Sequence, residues 1–414
     1  MMLLYRIFGY IIYCLVYPWG RLRAAFGDEK WRGRLALRGC CGAADIWLHA
    51  ASVGEVRVIS YLVDYLRTER PSLRMHVTVM TRAGYATAKS LFGEHVSVSF
   101  LPLDVHFLQI RAAGYIQPKA MVIAETELWP HLIRAISDRS VPIILVNARM
   151  TERALRRYLW FRRTFTYLLS RYDRIFAKSE EDRSRFLRLG ATPDLCRNAG
   201  DMKFDAPLLE RSDEKTQEIR ESLGVKRDEF LLVAGSTREG EEALLFRMYQ
   251  SLRSDNTRFR LVIAPRHLDR LGEIEMAAQS LGLRVRRDSV NAERSAEDIV
   301  LVDRMGLLND LYMAADLAFV GGTLVEIGGH NVLEPVWAGT PVLFGPSVSN
   351  VREAAEYIAA SRFGAQVADA AELEDAIRKY VRREITFRVK TGDDLTHSPT
   401  AHVGDHILRK LDRA

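Results

Sequence analysis

The sequence predicts an α/β fold of two Rossmann-like domains, each a parallel sheet with crossover helices, the two sheets facing a cleft. Three observations predict it. The chain is 414 residues long, more than one hydrophobic core usually supports, which is about 250 residues. Short runs rich in Val, Ile and Phe recur at intervals filled by helix-like segments, the pattern of strands joined by helical crossovers. That pattern stops at a charged stretch from Phe204 to Asp228, with Pro207 early and Gly224 late, and then begins again.

Composition agrees. With 48% hydrophobic and 27% charged residues the chain is neither disordered nor a polytopic membrane protein. A formal charge of +6 favours an anionic partner, which charge alone leaves open among nucleic acid, nucleotide and the phosphates of a membrane. Cys14, Cys40, Cys41 and Cys196 form no CxxC or Cys/His cluster, which implies a reducing compartment and no zinc site.

The elements follow in order. Met1 to Trp19 is apolar except for Arg6, close to the roughly 20 residues a spanning helix needs. Pro18-Trp19-Gly20-Arg21 offers a poor cleavage site, so residues 1–20 are expected to be a retained membrane anchor. Arg21, Arg23, Lys30, Arg32, Arg34 and Arg38 follow, and basic residues beside an anchor stay cytoplasmic. The alternative is an amphipathic helix packed on the first domain. That domain is expected over 21–205, with strands Ile46 to His49, His76 to Met80, Val96 to Leu101, Met121 to Ala124, Ile143 to Val146 and Arg174 to Ala177. A linker is expected over 206–228. The second domain, 229–414, holds Phe230 to Ala234, Arg260 to Ala264, Ile299 to Val302, Leu317 to Val320 and Pro341 to Phe344. Ligands in such folds lie at the carboxyl ends of strands, so motifs just after strands matter most.

His49-Ala50-Ala51-Ser52-Val53-Gly54-Glu55 leaves the first strand and opens a helix. Glu55, in the first turn, either caps that helix or serves an acceptor hydroxyl as general base. Glu125 and Glu127 follow a later apolar strand. If the strand persists they point to opposite faces and only one meets the cleft. Glu125, nearer the strand, is the candidate to support a base or bind sugar hydroxyls, with a plain helix-start acid as the alternative. Thr151 can cap the helix after Asn147-Ala148-Arg149. There Arg156, Arg157, Arg162 and Arg163 interleave with Trp160, Phe161 and Phe165, a face suited to an anionic membrane or to water over an ordinary core. Lys203, beside the hinge, either neutralises charge on a phosphate leaving group or is a surface lysine.

In the second half, Ala234-Gly235-Ser236-Thr237-Arg238 leaves a strand through small residues, and such a loop exposes N–H groups to an anion. Arg266, in Ala264-Pro265-Arg266-His267, can pair bidentately with a phosphate. The strongest signal is Gly321-Gly322-Thr323 followed by Gly328-Gly329-His330-Asn331-Val332-Leu333-Glu334. Glycine pairs between a buried strand and a helix start are expected to cradle phosphate, with Glu334 accepting from ribose hydroxyls. The chain has neither GxGxxG nor GxxxxGK[ST], which argues against NAD binding and ATP hydrolysis.

Taken together, these segments resemble the Kdo transferases of lipopolysaccharide synthesis, GT-B glycosyltransferases that move 3-deoxy-D-manno-octulosonic acid from CMP-Kdo to a lipid A precursor. The resemblance spans nearly the whole chain. It rests on the run Glu29-Lys30-Trp31-Arg32-Gly33-Arg34, then HAASVGE, ETELWP, NARMTER, SEEDRSRF, KFD, GSTREGEE, APRH, MGLL and GGHNVLEP in family order. It implies that Glu55 is the general base, that Glu125 and Lys203 assist the transition state, and that configuration inverts. It also implies that CMP contacts Pro265, Arg266, Met305, Gly306, Leu307, Asn331, Val332, Leu333 and Glu334. The implied partners are CMP-Kdo, a lipid A precursor and the cytoplasmic face of the inner membrane, with no nucleic acid and no cofactor. Since no Asp-x-Asp occurs, transfer is expected to be metal-independent. Leu307 stands where the family usually has glutamate, Asp201 where it usually has Gly-Asn, and Arg238 where histidine is common. The rivals are a GT-B transferase or epimerase using a UDP-sugar, and a non-catalytic membrane-bound nucleotide-binding scaffold.

Overall fold

The computed structural model describes residues 2–39, 41–206, 208–255, 258–289, 299–396 and 398–413. Met1, Cys40 and Pro207, all used above, lie outside them. The chain divides into two compact units, Met1–Ala206 with Leu395–Ala414, and Pro207–Asp394.

The first unit is a seven-stranded sheet of β1 (Ile46–His49), β2 (Met75–Val79), β3 (Ser97–Phe100), β4 (Ala120–Ala124), β5 (Ile143–Ala148), β6 (Arg174–Ala177) and β7 (Cys196–Asn198). Their order is β3-β2-β1-β4-β5-β6-β7 and every pairing is parallel. The central strands read as unbroken apolar runs because helices cover both faces, and each residue of β1, β2, β4 and β5 is buried. The second unit repeats the plan with β8 (Phe230–Thr237), β9 (Phe259–Pro265), β10 (Val285–Arg287), β11 (Ile299–Leu301), β12 (Leu317–Val320), β13 (Val342–Phe344) and β14 (Gly364–Gln366). Here the order is β10-β11-β9-β8-β12-β13-β14, again all parallel. In each sheet the first strand has successors on both sides, so the connections switch direction there. That switch point is where such sheets open a crevice at their carboxyl ends.

Two boundaries differ from expectation. The stretch 206–228 contains a helix, Asp213–Ser222, whose buried Arg220 donates to the carbonyls of Ala314 and Glu229, so it belongs to the second unit. The second unit ends at Asp394, not at 414. The last helix, Pro399–Leu411, returns to the first unit. Asp205 accepts the Thr400 N–H at 2.6 Å, Tyr65 donates to Asp405 at 2.6 Å, and Asp173 takes His406 and Lys410. Val403 and Ile407 complete the first unit's core.

The N-terminal helix runs Met2–Ala25, past the expected limit at residue 20. One side docks on the first unit: the Tyr5 hydroxyl donates to Asp104 at 2.9 Å, Tyr10 and Tyr13 pack on Phe107, and Trp19 meets Trp31 edge-on. The other side leaves Leu4, Phe8, Leu15 and Leu22 exposed. No helix among the described residues is long and apolar enough to cross a membrane. The basic, aromatic stretch after Thr151 is two helices, Glu152–Leu159 and Arg162–Leu169, with Trp160 and Phe161 exposed at the break. Thr151 caps the first, accepting the Ala154 N–H at 3.2 Å.

Candidate functional site

In the first unit the carboxyl ends of β1 and β4 bring three acids together. Ser52, in extended conformation, is the N-cap of the helix Val53–Glu69, and its hydroxyl oxygen accepts the Glu55 N–H. The Glu55 carboxylate reaches back to accept the Ala51 N–H at 2.7 Å and the Ser52 hydroxyl at 2.8 Å. A serine three residues before a glutamate is the capping-box spacing, but here Glu55 takes the N–H of the residue before the cap, and it is only 8% exposed. Burial raises its carboxyl to about 7, with Glu125 and Glu127 pushing the same way and the Ala51 and Ser52 donors opposing. Glu55 thus braces the start of this helix, and its carboxyl lies where a proton can be taken up and released near neutrality.

β4 ends at Ala124, and Glu125 turns into the left-handed region at φ 55°. This strain is uncommon for a residue bearing a side chain and gathers at functional sites. The strand does not persist, so the expected alternation fails. Glu125 and Glu127 both lie near enough for their charges to raise the Glu55 carboxyl. Burial raises the Glu127 carboxyl as well; sequence reasoning had passed over this residue in favour of Glu125.

Lys203 joins this group, its Nζ 3.9 Å from Glu125 Oε1. It rides on a short 3₁₀ turn, Met202–Asp205. Asp201 Oδ1 accepts the Lys203 N–H at 3.0 Å, and buried Asn147 accepts the Met202 N–H at 3.0 Å. Asn147 was not singled out in the sequence. Its signal was an asparagine at a strand end, a residue that tolerates the left-handed conformation it adopts here at φ 50°.

In the second unit a cavity of about 420 Å³ opens at the carboxyl ends of β8, β9 and β11. Of the residues expected to hold the nucleotide, Pro265, Arg266, Met305, Gly306, Leu307, Asn331 and Glu334 line it. Val332 and Leu333 do not; both are buried beneath the turn. Asn331 shapes that turn, accepting the Leu333 N–H and donating to Glu334, each at 3.2 Å. Arg266 makes no ion pair among the described residues. Arg238 donates to Nε2 of His330 at 2.9 Å and also meets Nε2 of His267. A ring nitrogen accepting from a guanidinium carries no proton, so His330 is neutral. Burial, then the charges of Arg238, Arg266 and His267, hold its pKa below the usual histidine range.

The glycine loops do not behave as expected. The N–H groups assigned to a ligand's phosphate are already used inside the protein. Those of Gly322, Thr323 and Leu324 donate to the Glu241 carboxylate, as does that of Arg238. Gly321 donates to Gly235, Gly328 to Ser347 Oγ, and Gly329 to Gly322. The cations that the cavity lining offers are the guanidinium groups of Arg266 and Arg304. Among the described residues no group of three or more His, Cys, Asp or Glu is arranged to hold a metal ion.

Residues 23–206 match the family model described as 3-deoxy-D-manno-octulosonic-acid transferase (kdotransferase). A 3-deoxy-D-manno-octulosonic acid transferase of Haemophilus influenzae is 32% identical over 336 residues, covering 79% of this chain and 78% of the relative. A bifunctional glycosyltransferase/methyltransferase of Fusobacterium nucleatum is 36% identical over 338 residues, or 80% of this chain. This chain spans only 52% of that relative. Among solved structures, the UDP-GlcNAc 2-epimerase of Neisseria meningitidis bound to UDP-GlcNAc superposes with a TM-score of 0.53, covering 89% of this chain and 100% of that one. At 12% identity this likeness concerns the fold alone.

Proposed function

The chain belongs to the Kdo transferases, and from that premise we propose that it moves Kdo from CMP-Kdo to a hydroxyl of a lipid A precursor, inverting configuration and using no metal ion. The observation that carries this reading is Glu55, a buried carboxyl with a pKa of about 7, beside Glu125 and its lysine partner. In the reaction Glu55 takes the proton from the acceptor hydroxyl as that oxygen bonds to the anomeric carbon. The bond from that carbon to the phosphate oxygen of CMP breaks on the opposite face, so one displacement inverts the centre. Arg266 meets charge that grows only as CMP departs, the kind of interaction that lowers a barrier rather than merely tightening binding, while Lys203 would assist from beside Glu125 in the first unit. Arg266 and the Asn331–Glu334 turn would hold the nucleotide. Glu334, half-buried with a raised pKa, would accept from ribose hydroxyls.

On this reading the protein would lie on the cytoplasmic face of the inner membrane. The exposed apolar side of the helix Met2–Ala25 and the arginines at its end support a helix lying in the interface. The full chain should co-float with anionic phospholipid vesicles, and Leu15→Glu with Leu22→Glu should release it. A wild-type chain that stays unbound would remove the membrane from the proposal. For the reaction, transfer from labelled CMP-Kdo and from UDP-sugars to a lipid A precursor is compared by product mass. Kdo-bearing product from CMP-Kdo alone is expected; transfer only from a UDP donor would overturn the reading.

A further inference from the structure

Glu241 is fully buried at the start of the helix Glu241–Asp255, and among the described residues no cation pairs with it. Its Oε2 accepts the N–H of Gly322 at 2.8 Å and of Arg238 at 2.9 Å; its Oε1 accepts those of Thr323 at 3.1 Å and Leu324 at 3.0 Å. A buried carboxylate is costly unless every lone pair is met. Four backbone donors meet this one.

Those donors lie on two different loops. Arg238 follows β8; Gly322 to Leu324 follow β12, and these strands flank the switch point of the sheet. Both loops lead to the cavity. The Gly329 N–H donates to the Gly322 carbonyl at 2.8 Å, and an added Cβ at Gly322 would stand 3.0 Å from the His330 ring. Arg238, fixed at its backbone by Glu241, holds His330 by its side chain. His330 and Asn331 line the cavity wall. Close packing also commits Gly321, where a Cβ would come within 2.7 Å of Glu241 Oε2 and 2.5 Å of the Thr237 backbone.

We infer that Glu241 is a positioning residue of the donor site, an internal anion that fastens the β8 and β12 loops and so sets the His330–Asn331 wall against which the nucleotide binds. It touches no substrate; it acts through the loops it holds. The inference rests on the proposed function only in taking this cavity as the donor site.

Glu241→Gln is the direct test, because the amide NH₂ of glutamine must confront two of the four N–H groups. Its neighbour Glu242 is the control. Glu242 is also buried on the same helix, but it meets the Thr237 hydroxyl and Arg270, not the loop amides. Expected for Glu241→Gln is a donor KM raised about tenfold or more, with acceptor KM unchanged and kcat within a few-fold. Glu242→Gln should lower Tm and leave donor KM alone. A folded Glu241→Gln with the wild-type donor KM overturns the inference, and so does an equal rise in Glu242→Gln, which would mark simple loosening of the fold.

If Glu241→Gln does not fold, wild-type hydrogen exchange decides. Bound CMP should slow exchange at Gly322 to Leu324 together with His330 to Leu333. Slowing confined to 330–333 would show the loops uncoupled and overturn the inference. Should the enzyme use a UDP-sugar, the same measurements with UDP apply. The donor assignment then fails while the brace stands or falls by its own result.

Discussion

Two helices, one after β1 and one after β8, each carry a buried glutamate in their first turn, and the two meet different partners. Glu55 accepts one backbone N–H and one hydroxyl and lies near two other acids. Glu241 accepts four backbone N–H groups, those of Gly322, Thr323, Leu324 and Arg238. Burial raises both carboxyls. The one with two donors and acidic neighbours reaches about 7; the other, more deeply buried, is met by four donors. Partners, rather than residue type, set the proposed base apart from the proposed brace.

The largest effect should come from breaking the first of the pair. Glu55→Gln should lower kcat by about 10²–10⁴-fold, the usual worth of a general base, while leaving CMP affinity near wild type. Turnover within a few-fold of wild type would remove Glu55 from the chemistry. Next comes Arg266→Ala in the second unit. Losing a charge-assisted bond to phosphate should raise the donor KM by about 10–100-fold, on the order of 1.5–3 kcal/mol. Steady-state kinetics with varied donor checks it, and an unchanged donor KM would move phosphate recognition elsewhere in the cavity.

The contrast between the two glutamates was only half legible in the sequence. The fold came through because parallel strands buried on both faces announce themselves as apolar runs. Ile46–His49, Arg174–Ala177 and Leu317–Val320 have the expected bounds. The strands that escaped are Cys196–Asn198, Val285–Arg287 and Gly364–Gln366, all three residues long and all at sheet edges. An edge strand is covered on fewer sides, so nothing forces an apolar run upon it. The helix start that carries Glu55 could be read because its serine cap and preceding strand are adjacent in sequence. The glycine loops misled because their composition shows that N–H groups are available, not which anion takes them. Their acceptor, Glu241, lies 81 residues before Gly322. The return of the last helix to the first unit was hidden for the same reason: Asp205 and Asp173, which hold it, are 195 and 233 residues from their partners.

The pH dependence sharpens the comparison further. Because Glu55 must be ionised to act, kcat/KM should rise with pH through about 7. Stability should run the other way. The carboxyl is near 4.5 when unperturbed and about 7 in the fold, so the folded state binds the proton more tightly. Relative to Glu55→Gln, the wild type should be fully favoured below 4.5 and lose that advantage as pH climbs to 7, by at most about 3 kcal/mol at 1.36 kcal/mol per pKa unit. Chemical denaturation of both proteins across this window checks the sign. A difference that is flat or grows with pH would mean that Glu55 is not held as a weak acid.

The smallest expected effect isolates the hydroxyl that tempers Glu55. Ser52→Ala removes the N-cap of the helix Val53–Glu69, which should cost about 1 kcal/mol of stability. It also removes a donor that favours the ionised carboxylate. The acidic limb of the pH–rate profile should therefore move above its wild-type position, with little change in the rate at high pH where Glu55 is ionised in both proteins. If the limb instead stays in place while stability falls, Ser52 is only a cap, and the titration that governs activity belongs to another acid of the cluster, Glu127 first among them.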